Sequence, residues 1–193
     1  MTHHTWIIGA GKGMGQSYGQ VFPNPVFLSR TAPPPFNMDV TDINPEQLNA
    51  LIAQYPPGIL IYNAFVPRRA TPSSVMADDL VYDFKVHVVG LVQVIQACEV
   101  ALQGASKPAV IITGGGFAHD PHPALFSLGL GKAVQLNAAK SLMKHWQGTN
   151  IRVCYVTVNG PINKATGIDP DAIAQAALDW YDTDQTQLEI AVT

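Results

Sequence analysis

The chain has 193 residues, is 47% hydrophobic and 13% charged, and carries a formal net charge of −3. That length suits one domain spanning 1–193 with a core able to stand alone, and so little charge excludes the disordered class. No basic stripe is present, which argues against a nucleic-acid partner.

Short β-type runs alternate with longer helical patterns. The first strand is expected over 5–8, almost at the start, leaving no room for a signal peptide. A glycine-rich turn and a helix over about 14–22 follow. Strands are expected over 26–29 and 36–40, the second of them short. The helix over 45–54 has Asn44 as its cap and Pro45 in its first turn. Residues 58–62 (Gly-Ile-Leu-Ile-Tyr) form a fully apolar strand of the kind found inside parallel sheets. Long helices over 77–102 and 124–146 bracket a strand over 109–113. A strand over 151–158, a helix over 171–181 and a last strand over 188–192 complete the chain. Apolar runs are broken by Lys, Gln or Glu within a few residues, so no membrane span is expected. Cys98 and Cys154 lack metal-ligand spacing and read as reduced core residues of a cytoplasmic protein, with no metal implied.

Strand–helix alternation of this kind predicts an α/β, doubly wound parallel sheet of about seven strands with helices on both faces. One connection is odd. Only Arg30-Thr31-Ala32-Pro33-Pro34-Pro35 separates the second and third strands, too little for a crossover helix. That predicts a sheet face left partly bare or covered by a partner.

The turn after the first strand reads Gly9-Ala10-Gly11-Lys12-Gly13-Met14-Gly15. Glycines allow positive φ and a close approach of backbone to a pyrophosphate, and the helix opening there aims its free N–H groups at it. At the end of the second strand an NAD site places Asp or Glu on the ribose 2′-hydroxyl. Here Ser29-Arg30-Thr31 stands instead, and a guanidinium matches a 2′-phosphate. Lys12 adds a second cation. The plainer reading of each is a solvated surface charge, yet together they favour NADP(H) as cofactor.

Over nearly its whole length the sequence then resembles the short-chain dehydrogenase/reductase family, a Rossmann-type fold. Gly9-x-x-x-Gly13-x-Gly15 looks like the family's Gly-x-x-x-Gly-x-Gly turn. Met38-Asp39-Val40-Thr41-Asp42 looks like its Asp-Val segment, so the resemblance gives Asp39 to adenine and counts Val40 among the cofactor-binding residues. Tyr62-Asn63-Ala64-Phe65 stands where the family has Asn-Asn-Ala-Gly. Val158-Asn159-Gly160-Pro161-Ile162 resembles the turn that meets the nicotinamide, with Ile162 at the carboxamide position. The family's catalytic set is an Asn, a Ser and a Tyr-x-x-x-Lys pair. Lys132 is retained and would hold the nicotinamide ribose, but Leu128 takes the tyrosine position, Gly115 the serine and His87 the asparagine. Losing the proton donor costs about 10²–10⁴-fold in rate, and losing a hydrogen bond to the oxyanion roughly another 10²–10³-fold.

His119 and His122, in the loop after the fifth strand, are candidates to replace the tyrosine, and His87 could join a relay with Lys132; solvent-facing or merely packed histidines are the simpler reading. Gly129 and Gly131 each cost their helix about 1 kcal/mol, so a close neighbour is expected there, either cofactor or partner helix. The resemblance implies a homodimer or homotetramer through the helices at 77–102 and 124–146; Val81, Val88, Leu91, Val92 and Ile95 could supply an apolar seam, or could simply pack on the sheet. Only about ten residues lie between Gly160 and the helix at Asp171, so the substrate-covering segment is reduced. Two functions follow: an atypical NADP(H)-dependent oxidoreductase acting on a small-molecule carbonyl or alcohol, or a non-catalytic NADP(H)-binding sensor or regulatory subunit. A structural dimer that the nucleotide only stabilises is a third.

Overall fold

In the computed structural model, which describes residues 2–193, six strands form one parallel sheet in the order β2-β1-β3-β4-β5-β6. They are β1 (His4–Ile8), β2 (Pro25–Leu28), β3 (Pro57–Tyr62), β4 (Ala109–Thr113), β5 (Arg152–Val158) and β6 (Glu189–Val192). The helices are α1 (Met14–Val21), α2 (Pro45–Gln54), α3 (Ala77–Phe84), α4 (Gly90–Gln103), α5 (Phe126–His145) and α6 (Pro170–Asp182).

Alternation along β1 explains the layers. Trp6 and Ile8 point to the core beneath α2, α4 and α5, whereas Ile7 points to the core beneath α1 and α6. Each fully buried side chain of this kind contributes about 1.5–3 kcal/mol. Asn44 caps α2 by accepting from the backbone N–H groups of Glu46 and Gln47, and Asp169 caps α6 through Asp171.

The strand expected over 36–40 does not form, so the sheet has six strands and not seven. Its only ladder contact is a single bridge from Asn37 to Ser29. Pro33, Pro34 and Pro35 have no N–H to donate, and the chain folds back on itself, with Phe36 N–H bonded to the Pro33 carbonyl. An open groove lined by Phe27, Pro33, Phe36 and Tyr55 remains at that edge.

The helix expected over 77–102 is interrupted. Residues Lys85–Val89 form a π-turn between α3 and α4, and His87 sits at its centre with no exposed surface. The run Ala77–Gln103 is long and apolar enough to cross a membrane by length and composition, but half of its most apolar window is buried inside the fold, where α4 lies on β3.

Candidate active site and nucleotide cleft

Two cavities adjoin along the carboxyl edge of the sheet, where ligands sit in folds of this kind. The first, about 250 Å³, lies over β1, β2 and β3. The second, about 270 Å³, lies over β4 and β5. Asn63 and Phe65 belong to both and mark the passage between them.

Gly9 and Gly11 of the glycine turn line the first cavity, whereas Gly13 and Gly15 do not. Gly9 has φ +80, and a Cβ there would lie 2.5 Å from the Ala64 backbone nitrogen. Gly15 would meet Ala10 Cα at 2.6 Å, while a Cβ on Gly11 would meet nothing within 4 Å, because that side opens on the cavity. Gly13, at φ +94, begins α1 with no side-chain cap, so the first N–H groups of the helix lack a side-chain partner. Asn63 locks the turn by donating from Nδ2 to the Gly9 carbonyl at 3.0 Å.

Ser29, Arg30, Thr31, Asp39, Val40 and Ala64 line this same cavity. The Arg30 guanidinium is aimed by the Tyr82 hydroxyl, which accepts from Nη1 at 3.0 Å. Asp39 is fixed by Thr41, whose N–H and hydroxyl both donate to Oδ1. Lys12 is exposed and does not line the cavity, and Met14 is a core residue packed with Tyr18.

The second cavity is mostly apolar. Leu128, Phe117, Val158, Pro161 and the half-exposed Phe65 and Ile162 form its walls. Lys132 reaches it from α5, 7% exposed, and its Nζ donates to the Thr113 carbonyl at 2.6 Å and to Gln135 Oε1 at 3.1 Å. Burial lowers its pKa from 10.5 to about 7. Gln135 in turn donates from Nε2 to the His87 carbonyl at 2.8 Å, so a side-chain amide ties Lys132 to the π-turn. The hydroxyl of Thr113 is engaged with Tyr18 at 3.0 Å. Every polar side chain lining this cavity is therefore already in a hydrogen bond within the protein.

The three histidines lie outside both cavities. His119 Nε2 is paired with Glu189 Oε1 at 2.7 Å at the sheet edge. His122 Nδ1 accepts from the Ala124 N–H, and its ring lies against Phe117. His87 is buried behind Lys132, where Nε2 accepts from the Val66 N–H at 3.4 Å and Nδ1 has no partner. Desolvation first, then the Lys132 charge, lowers its pKa to about 4.

The glycine positions have specific neighbours. A Cβ on Gly131 would meet the His87 ring at 2.6 Å, and Gly129 lies under Phe117 and Pro121. The His87 ring is thus the close neighbour at Gly131, whereas the nearest atoms at Gly129 lie at ordinary contact distance. In the triplet, Gly114 makes way for the Tyr155 ring and Gly116 for Asn159, whereas Gly115 alone adjoins free space. Residues 161–167, which would cover the second cavity, are short and exposed.

Sequence reasoning did not single out Val66, Tyr82, Val86 or Gln135. The α3 and α5 residues among them come from distant helix faces and belong to no local motif; Phe65 alone carried a signal, as a phenylalanine where the resembled pattern has glycine.

No protein-family model matches the sequence, and no curated protein matches it. Solved structures do match its fold. An NADPH-bound short-chain oxidoreductase from Pseudomonas aeruginosa PAO1, described as containing an atypical catalytic center, superimposes with a TM-score of 0.86 at 15% identity, covering 98% of this chain and 95% of that one. A short-chain dehydrogenase from Burkholderia cenocepacia J2315 in complex with NADP gives 0.84 at 18% identity, covering 99% and 88%. An NADH-dependent reductase complexed with NAD gives 0.84 at 14% identity, covering 100% and 95%. The chain has the fold of the short-chain dehydrogenases/reductases.

Proposed function

We propose that the chain is a divergent short-chain dehydrogenase/reductase that binds NADP(H) and whose carbonyl reduction is weakened or rerouted. The observation that carries this reading is the joined cleft itself: a glycine cradle at an uncapped helix start, Arg30 and Asp39 over one cavity, and Lys132 in the next. The residues fit the nucleotide. Gly9, Gly11 and the α1 amides suit a pyrophosphate. Arg30, with Ser29 and Thr31, suits a 2′-phosphate. Asp39, Val40 and Ala64 suit the adenosine half, and Lys132 and Ile162 the nicotinamide half. When bound, the nicotinamide ring donates or accepts a hydride.

What this chain supplies to the proton is poor. Leu128 and Gly115 offer none, and the remaining polar groups around the second cavity are committed internally. His119 and His122 would have to leave their present partners to reach it. That arrangement favours a second reading, a nucleotide-binding sensor with no turnover. The same proposal makes the chain a cytoplasmic protein, and a homodimer or homotetramer because Val81, Phe84, Val89 and Val92 on the α3–α4 run, with Leu130 and Met143 on α5, leave apolar surface exposed, whereas Leu91 and Ile95 of the expected seam are buried in the core.

The test is a fluorescence titration with NADPH and NADH, followed by NADPH oxidation with a panel of small carbonyl compounds. NADPH should bind more tightly than NADH, with slow oxidation. Failure to bind either coenzyme would overturn the proposal; tight binding with no oxidation would select the sensor.

A further inference from the structure

We propose that Lys132 is also a nucleophilic amine, which condenses with small apolar aldehydes and ketones admitted to the second cavity. This activity does not rest on the nucleotide reading.

An ammonium becomes a nucleophile when it loses a proton, and it does so most readily when buried without a counter-ion. Both acceptors of Lys132 Nζ are neutral, the Thr113 carbonyl and the Gln135 side-chain amide. Two acceptors match the two N–H bonds of a neutral amine and leave its lone pair unused. The charged and titratable groups nearby are engaged elsewhere. Asp83 on α3 accepts from Arg68 Nε at 2.8 Å and from the Ser127 hydroxyl at 2.7 Å. His87 is tied to Val66, and the Tyr155 hydroxyl donates to the carbonyl of Lys132 itself. Among the described residues no carboxylate lies within ion-pair distance of Nζ. Burial brings the amine to about 7, so much of it is free base near neutral pH.

Space and walls complete the site. Gly115 leaves room beside the lysine stem, since a Cβ there would still be 3.9 Å from Lys132 Cγ. Leu128, one turn earlier on α5, and Phe65, Phe117 and Ile162 offer apolar surface to an alkyl or aryl group. In the reaction the Nζ lone pair attacks the carbonyl carbon and forms the C–N bond. The C=O π pair moves to oxygen, which takes a proton from water in the open cavity, while the now cationic nitrogen gives one of its own back to that water. The carbinolamine then loses water to give an imine, with no net oxidation or reduction.

The experiment treats the nucleotide-free full chain with butanal or benzaldehyde and sodium cyanoborohydride, which traps the imine, and reads intact mass and peptide maps. One adduct per chain is expected at Lys132. At pH 7.5 it should form about tenfold or more faster than at the exposed Lys12, with a rate that rises with pH to a midpoint near 7. Lys132→Met and Lys132→Arg should both lose it, and Leu128→Ala, which removes apolar surface but leaves the amine in place, should slow capture of benzaldehyde. Labelling spread over exposed lysines with Lys132 unmodified, or a Lys132 profile like that of an ordinary lysine, would overturn the proposal. An NADPH titration of the same material separates the two readings. Nucleotide binding without an adduct sinks this inference alone, and an adduct without nucleotide binding sinks the other alone.

Discussion

Putting a serine at Gly115 and a tyrosine at Leu128 should convert the chain into a measurable carbonyl reductase. Gly115 lies at φ −176, extended backbone that any residue adopts, and its Cβ would sit 3.7 Å from the Val158 carbonyl oxygen and 3.9 Å from Lys132 Cγ. Serine therefore fits in ordinary contact. Leu128 lies four residues before Lys132 on the same helix face and walls the second cavity, so a larger ring grows into open space. A positioned proton donor brings about 10²–10⁴-fold and an oxyanion hydrogen bond about 10²–10³-fold. Together these would give about 10⁴–10⁷-fold, but His87 still stands at the asparagine position and Gln135 still holds the amine, which places the expected gain at or just below the low end, about 10³–10⁴-fold, or roughly 4–5.5 kcal/mol of barrier. The assay is kcat/KM for NADPH oxidation with small ketones and aldehydes, alongside NADPH affinity by fluorescence. Adding Lys132→Met should abolish the gain. A folded double variant that binds NADPH like its parent yet stays near its parent's rate would refute the reasoning.

Arg30→Ala should weaken NADPH binding by about tenfold to a hundredfold, the size of a charge-assisted hydrogen bond, and leave NADH binding nearly unchanged in parallel titrations. His87 stays neutral when folded, with its pKa lowered from 6.5 to about 4, whereas the unfolded chain takes up a proton below 6.5. Stability should thus fall by about 3 kcal/mol as pH drops from 6.5 to about 4, and level off below; urea midpoints of His87→Asn should change less across that window. Asp83, 1% exposed, accepts from Arg68 and Ser127, so Asp83→Ala strands a buried hydroxyl and half of an ion pair. Arg68 keeps Asp79 at 3.0 Å, which limits the loss to about 2–3 kcal/mol by urea denaturation. Val81→Glu with Val92→Glu should shift the chain toward monomer in light scattering without altering its circular dichroism.

Local chemistry made much of the fold legible. Asn44-Pro45 announced α2, and the glycine turn announced the β1–α1 junction, because caps and positive φ are set by the residue itself. The π-turn at Lys85–Val89 was not legible, since what stabilises it is remote: Gln135 takes the His87 carbonyl, and Gly131 makes room for the His87 ring. The missing strand was half legible. The six-residue link was visibly too short for a helix, but that the following segment would touch β2 only once depends on how three prolines turn the loop. The site divides the same way. Motif residues carried Gly9, Arg30, Asp39 and Lys132, whereas Tyr82 and Gln135, which aim two of them, are single residues on helices with no pattern of their own.

The two cavities treat polarity in opposite ways, and this sets what each can recognise. In the first, Arg30 gives one N–H to Tyr82 and its other donors have no protein partner among the described residues, next to uncapped amides. Such a surface suits the phosphorylated ligand proposed for it. In the second, the lining side chains have spent their hydrogen bonds on Gly9, Tyr18, Thr113 and Gln135. A reacting carbonyl oxygen finds only the second N–H of Asn63 and, while the amine is protonated, the third of Lys132, because freeing either group from its present partner leaves a buried atom unsatisfied at about 1–3 kcal/mol. Affinity and reactivity should therefore separate by position. Changes at Arg30 and Asp39 should move coengagement of nucleotide and leave the chemical step alone, whereas changes at Gly115 and Leu128 should do the reverse. If both quantities moved together across that set, the joined cavities would be serving one ligand of a different kind.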